Sequence, residues 1–445
     1  MSSLRSRLHR LGREMRISFA LALPIVLGQA ASMGMNIVDT VLAGRHGPVT
    51  LAAIGVGSAV WSLVILICIG VLMAVPPTVA QLNGAGRRSE IGSVFRQAAW
   101  LALLLGIGLF FLVRGGPVLF ELLGITPEAR PQAEAFLRAI SWGAPGLAIY
   151  FACRNLSEGV GWTRPTMVFG LGGLALLVPL GWALMFPLDF GAAGLGYAVA
   201  IILWCQALGF LVYLRRSPHY AGLGLFHHLE GPRWVPIRDL LALGLPMGVS
   251  VFMEGSLFVA TALLIGTLGM VEIAAHQIAI LVASLTFMVP LGVAMATTVR
   301  VGHAIGAGNG SAVRWSAAAG YGLAFIAQSL SAIVLVFGGG WLAGLITPEP
   351  AVIALATTLM LYAAVFQYPD GIQALSAGAL RGLKDVRMPM LITVLAYWAV
   401  GLPLGSWLGL HVGQGAPGFW TGLIFGLSVA ATLLAWRFWK LALRC

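Results

Sequence analysis

Twelve runs of roughly twenty apolar residues dominate this chain, each long enough to cross a bilayer as a helix. They fall near 17–42, 51–78, 95–113, 133–158, 167–187, 192–213, 238–267, 272–298, 313–336, 351–380, 388–410 and 416–436. Hydrocarbon offers the backbone no hydrogen bonds, so runs of this kind must satisfy themselves as helices. The expected fold class is all-α integral membrane. Composition agrees: 59% of residues are hydrophobic and 9% charged, against about 25% charged in soluble domains. The basic start "MSSLRSRLHRLGREMR" resembles a signal peptide. The run from Ile17 to Leu42 outlasts an ordinary signal core of about 7–15 residues, so an uncleaved first span is expected.

A net charge of +11 would suit nucleic acid, but the basic residues sit in short clusters between apolar runs. That pattern sets membrane topology and argues for a bilayer partner and no nucleic acid. With the amino terminus placed in the cytoplasm, all but four of the 26 Lys and Arg fall on the inside; the exceptions are Arg45, Arg114, Arg130 and Arg138. Both termini are therefore expected to be cytoplasmic. The cysteines, Cys68, Cys153, Cys205 and Cys445, form no CxxC or Cys/His spacing. They are expected to be packing residues or inert thiols.

The chain also repeats itself. "LALPIVLGQAASMGMNIVDTVLAG" aligns with "LGLPMGVSVFMEGSLFVATALLIG", placing Pro24 on Pro246 and Gly44 on Gly266. The same register sets "QLNGAG" (81–86) on "HAIGAG" (303–308). One residue out of register, "ITPE" at 125–128 meets "ITPE" at 346–349. Each unit holds six spans and returns the chain to the same side, so the halves form a parallel repeat about an axis along the membrane normal. The expected organisation is a basic cytoplasmic segment (1–16), a first lobe with helices 1–6 (17–214), a cytoplasmic linker (215–237) and a second lobe with helices 7–12 and a short tail (238–445). The linker contains the polar, Gly-rich stretch "RRSPHYAGLGLFHHLEGPRW".

Most of the fifteen acidic residues fall at span ends or in loops, and three do not: Asp39, Glu254 and Asp370. An ionised carboxylate at mid-bilayer costs roughly 2.5–3.5 kcal/mol or more. Three together imply a wet cavity or a bound cation. A structural pairing would need a cation nearby, and Arg154, Arg300, Arg381, His276 and His303 are the few candidates. The functional alternative is binding of H⁺, Na⁺ or a cationic substrate. Glu254 and Asp370 lie in the same half and can converge, which makes them the candidate ligands if Na⁺ binds. Asn36 lies one turn before Asp39 and shares its face. Gln277 and Gln367 are further polar candidates, each equally readable as an interhelical hydrogen bond. Tyr397 and Trp398, mid-span, are candidate cavity aromatics. No GxxxxGK[ST], HExxH, GxSxG or zinc spacing occurs, so neither an ATPase nor an enzyme is expected, and no cofactor.

Seven stretches in order, "NIVDTVLAG", "AAIGVGSAVW", "VAQLNGAGR", "LPMGVSVFMEG", "AAHQIAI", "RVGHAIGAG" and "DGIQALSAGALRGLKD", resemble the multidrug and toxic compound extrusion (MATE) family, in its bacterial NorM-type branch. The resemblance spans about residues 15–440. It implies twelve transmembrane helices in two pseudo-symmetric six-helix lobes and a secondary transporter of the bacterial inner membrane. Such a transporter exports cationic amphipathic drugs in exchange for Na⁺ or H⁺ by alternating access, and a monomer is expected. The family pattern places cation coupling on Glu254 and Asp370, with Asp39 as the first-span acid. Two positions depart from it. Phe366 stands where some relatives carry Tyr, keeping a ring face for a cation but no hydroxyl. Leu177 and Gly181 stand where relatives often carry Asn, so Asp39 lacks those partners and Asn36 is the substitute at hand. The alternative within the superfamily design is a lipid-linked precursor flippase, which should need a strongly cationic cavity. A channel fits poorly, because two lobes do not make a ring.

Overall fold

The computed structural model describes residues 2–118, 127–227 and 230–445, with side chains from residue 8. Arg5, Arg7 and the first half of the "ITPE" at 125–128 thus lie, wholly or as side chains, outside the described residues. Everything regular is helical: α1 (Ser2–His46), α2 (Pro48–Leu72), α3 (Val75–Gly84), α4 (Arg88–Gly115), α5 (Arg130–Ser141), α6 (Ala144–Val160), α7 (Arg164–Met185) and α8 (Gly191–Arg216) in the first half. The second half holds α9 (Trp234–Gly266), α10 (Met270–Gly306), α11 (Gly310–Ile346), α12 (Pro350–Gly382), α13 (Arg387–Val394), α14 (Leu402–Ser406) and α15 (Ala416–Ala442). Two π-helical turns, Leu395–Gly401 and Trp407–His411, join α13 to α14 and continue it.

Eleven helices among the described residues are long and apolar enough to cross a membrane, and twelve if the pair α5–α6 is one span. That pair bends by 47°. The cause is local: Pro145 opens α6, and a proline there cannot donate to the turn before it. α2 and α3 together form one long span, Pro48–Gly84, interrupted at Met73–Ala74, just before Pro76 and Pro77 in the first turn of α3. The repeat is also visible in the backbone. Gly47 and Gly269 both start the second helix of their half at φ 146° and 152°. Gly86 and Gly308 both close a helix at φ 72° and 65°. L-residues rarely adopt these conformations, and glycine supplies them without a Cβ clash.

The chain forms two compact units: Leu27–Gly248, and Met1–Val26 with Val249–Cys445. The boundaries fall inside α1 and α9, not in the linker. In the second unit the start of α1 packs on α10–α12: Ala22 and Ile25 share a buried cluster with Val293, Ala324 and Leu375. Arg10 donates to Ser311 at 3.2 Å, and Arg300 pairs with Glu14. The basic segment expected as a separate cytoplasmic piece is therefore helical, continuous with the first span, and docked. In the Leu27–Gly248 unit the buried cluster runs from Leu42 and Ile54 through Phe136 to Leu195.

Within the second unit a glycine ladder brings two helices into close backbone contact. Gly401, Gly405 and Gly409 recur every four residues, and so do Gly418, Gly422 and Gly426 on α15. A Cβ on Gly426 would sit 2.8 Å from Gly401 Cα, one on Gly422 2.7 Å from Gly401 O, and one on Gly418 2.6 Å from Gly409 N. Between apolar helices in lipid the hydrophobic effect offers little, so close backbone approach through small residues drives association.

The linker is a bound strap. Arg96 on α4 donates to Gly224 O at 2.5 Å and to Glu230 Oε1 at 2.7 Å. Ser93 donates to Glu230 Oε2 at 3.0 Å, and Trp100 donates to Glu230 O at 2.7 Å. Gln97 donates to Gly231 O at 3.0 Å and accepts from Arg233 N at 2.7 Å. His219 stacks on Trp162, ring centroids 3.8 Å apart. The hydrogen bond from Arg96, then that from Ser93, holds the Glu230 carboxyl down to about 2, against an ordinary value of about 4.3. A depressed carboxylate contributes stability above its unfolded value and loses it as pH falls through the folded one. Hydrogen exchange at the linker amides, corrected for intrinsic rates, should therefore stay slow at neutral pH and accelerate as pH drops from about 4.3 towards about 2. Arg96→Ala should give the fast rate at neutral pH already. Fast exchange in the unmodified protein at neutral pH would refute the docked strap.

Candidate functional site

Within the second unit, five polar side chains from three spans come together. Glu254 lies on α9, Asp370, Gln373 and Arg381 on α12, and Tyr397 in the π-helical turn Leu395–Gly401. Asp370, Gln373 and Tyr397 are buried, at 5%, 4% and 0% exposure, while Glu254 keeps partial access. The Gln373 amide and the Arg381 guanidinium both act electrostatically on the Glu254 carboxylate, Arg381 from beyond ion-pair distance. Glu254 and Asp370 repel one another. Tyr397 feels both carboxylates. Asp370 Oδ1, Gln373 Oε1, Arg381 Nε and the Tyr397 hydroxyl are all buried without a hydrogen-bond partner. Buried polar atoms are nearly always paired, so this concentration of unpaired ones makes the cluster the candidate site.

The backbone explains the geometry. Pro369 lies inside α12, next to Asp370. It removes one helical donor and opens the turn beside the carboxylate. Gly371 follows. The Gln328 side chain occupies the space a Cβ would need there, and its amide donates to the Gln367 carbonyl. The π turn adds a residue to the span, a distortion frequent at functional positions. It buries Tyr397 while Trp398, on the other side, donates to Met253 O at 3.3 Å. The residue before Glu254 is thereby tied to the residue after Tyr397.

The other sequence candidates are placed as follows. Phe366 is 2% exposed and packs edge-on to Phe258 and Trp420 at 6.1 and 5.6 Å. Gln367 is buried with both side-chain polar atoms unpaired. Gln277 is exposed, and its neighbour His276 is buried edge-on to Trp420 at 5.9 Å. Among the described residues, neither His276 nor His303 forms an ion pair. In the other unit, Asp39 has one buried carboxylate oxygen without a partner. Asn36 is exposed, and its carbonyl accepts from Thr40 at 2.9 Å. Leu177 is fully buried, and Gly181 faces Leu42, so apolar groups stand at the positions where relatives often carry Asn.

Sequence reasoning missed Gln373, and it named Arg381 and Arg154 only among the candidate cations for the in-span acids. Gln373 and Arg381 lie inside the stretch "DGIQALSAGALRGLKD", yet their link to Glu254 depends on how α9 and α12 pack. Arg154, expected as a topology-setting charge, is 3% exposed. It donates to Glu158 Oε1 at 2.7 Å and to Gln29 Oε1 at 3.1 Å, and Thr166 donates to Glu158 at 3.1 Å. That buried network ties α1, α6 and α7. Its signal was the Arg–Glu pair four residues apart, one helical turn. The cysteines are free, and no cluster of three His, Cys, Asp or Glu forms among the described residues.

Comparison with known proteins agrees with this fold. The MatE family model matches residues 24–183 and again 246–407, in the register of the internal repeat. "Probable multidrug resistance protein NorM" of Xanthomonas campestris is 51% identical over 433 residues, covering 96% of this chain and 94% of that protein. "Multidrug resistance protein PmpM" of Pseudomonas aeruginosa is 39% identical over 450 residues, covering 99% and 94%. The crystal structure of the eukaryotic MATE transporter AtDTX14 superposes with a TM-score of 0.88 over 98% of each chain at 17% identity, a likeness of fold. With its model matched twice and relatives this similar along nearly their whole length, the chain belongs to the MatE family of membrane transport proteins.

Proposed function

We propose that this chain is a multidrug efflux transporter of the bacterial inner membrane, working as a monomer with both termini in the cytoplasm. It exports cationic amphipathic compounds in exchange for Na⁺ or H⁺ by alternating access. The relatives' names support drug export. The observation that carries the coupling is the Glu254–Asp370 pair, with Arg381 as a counter-charge beyond ion-pair distance. Ionised, the trio holds one negative charge in excess. A single H⁺ on one carboxylate, or a Na⁺ shared by oxygens of Glu254, Asp370 and their neighbours, removes that excess. Pro369, inside the unbroken α12, lacks an N–H, so it frees a backbone carbonyl one turn earlier as a further cation ligand. With the site charged, the inward-open form takes up a cationic drug. A cation arriving from outside discharges the site and favours drug release. Coupling needs only that the two ligands prefer different states. Asp39 is the first-lobe acid in this scheme, and Asn36, Gln277, Gln367, Phe366 and Tyr397 are the candidate substrate contacts.

The test is efflux of a cationic fluorescent drug from proteoliposomes, with a Na⁺ gradient and a pH gradient imposed separately. At least one gradient should drive efflux on its own. Transport that ignores both would reject exchange, and a pyrophosphate-linked lipid moving in the drug's place would favour the flippase reading.

A further inference from the structure

Away from that cluster, the second unit has a groove of about 390 Å³ on its outer surface, between α11, α12 and α15. Its walls include Tyr321 and Phe325, Gln328, Tyr368 and Ile372, and Trp439. The polar atoms of these side chains point into the protein. Tyr321 shares a hydrogen bond with Ser376 at 2.6 Å, and Tyr368 donates to Ser329 at 3.2 Å. The Gln328 amide is taken by the Gln367 carbonyl. What the groove offers a ligand is ring faces and carbon, suited to an alkyl chain. Tyr321 and Trp439 stack at 6.3 Å at one end, and Phe325 leans on Tyr368 at 5.7 Å farther along.

The Trp439 end is basic. Lys440 is exposed and sits 4.7 Å over the exposed ring of Trp436. Arg314 donates to Ala442 O at 3.2 Å. Arg10, also exposed, lies 5.3 Å over Trp315 on the first turns of α11. The acids nearby are already paired, Asp385 with Arg437 at 2.5 Å and Glu14 with Arg300. No acidic side chain lines the groove, so a cationic drug would find no counter-charge there. Basic pockets at the membrane-facing edge of helices recognise anionic lipid headgroups. We propose that this groove is a binding site for an anionic phospholipid. One acyl chain lies along the aromatic wall, and the phosphate lies against Arg10, Arg314 and Lys440.

The test uses the full-length protein in detergent, titrated with dioleoylphosphatidylglycerol or dioleoylphosphatidylcholine and followed by native mass spectrometry. The glycerol lipid should bind more tightly. Lys440→Gln and Arg10→Gln should each weaken it about fivefold and leave the choline lipid unchanged. Ala435→Trp, filling the groove beside Trp439, should abolish tight binding with the charges intact. Gly322→Leu serves the same purpose if that variant does not fold; a Cβ there would meet only the flexible end of Met15. Equal affinity for the two lipids would overturn the proposal. So would glycerol-lipid binding indifferent to both the charge and the groove-filling variants, or a cationic drug displaced from the filled groove in the lipid's place.

Discussion

Glu254→Gln is expected to reach the membrane in normal amount and to lose gradient-driven efflux. Coupling free energies between sites typically correspond to 5- to 150-fold, and the loss should fall in that range. Gln keeps the shape and can still meet the Gln373 amide, so the cavity survives. What disappears is the charge that a cation would neutralise. The rival reading makes Glu254 only the structural partner of Arg381. The double variant Glu254→Gln, Arg381→Gln separates the two. Removing one of two opposed charges inside the membrane leaves the other uncompensated, whereas replacing both is often tolerated. If Glu254 merely balances Arg381, the double variant regains both thermal stability and efflux. If Glu254 couples the cation, it regains stability alone. Efflux that follows either gradient at the normal rate in Glu254→Gln would defeat the assignment outright and move the coupling to Asp370 or Asp39.

Gly422→Leu should all but eliminate folded protein, read as the monodisperse fraction after solubilisation. Overpacking a well-filled core ordinarily costs about 1–3 kcal/mol, but there a side chain can usually turn aside. At Gly422 the atoms in the way are backbone of Gly401 and Gly405, and they cannot rotate out. Even Gly422→Ala should lower the melting temperature sharply. Phe425→Ala, at a residue on the same helix that is 53% exposed, should change little. The ladder also fixes the π turn that carries Tyr397, so partly folded Gly422→Ala protein should transport poorly. A Gly422→Leu protein as stable as the parent would mean that α15 and the preceding span do not pack through their glycines.

Much of this protein was legible in the chain alone. Long apolar runs specify spans because each backbone group in lipid must be satisfied within its own helix, a local requirement. The repeat was legible as sequence register, and Gly47/Gly269 and Gly86/Gly308 carry it into backbone conformation. Asp39, Glu254 and Asp370 stood out because the cost of a carboxylate in hydrocarbon depends on depth, and depth follows from span position. Partnership is different, since it depends on which faces of distant helices meet. Arg381 is eleven residues from Asp370 in sequence, yet it balances Glu254 on another span. Tyr397 turns inward because a π turn shifts the helix register there, and the apolar pattern does not announce such a turn. Arg154 was one of several cations open to an in-span acid, and packing instead buried it with Glu158, Gln29 and Thr166. The linker looked like a loose tether from its glycines, yet Arg96, Gln97 and Trp100 on α4 supply the hydrogen bonds that hold it. Sequence determined what the membrane demands of each helix separately. Only tertiary structure decided which buried polar group answers which, because that energy belongs to pairs of side chains that the chain keeps far apart.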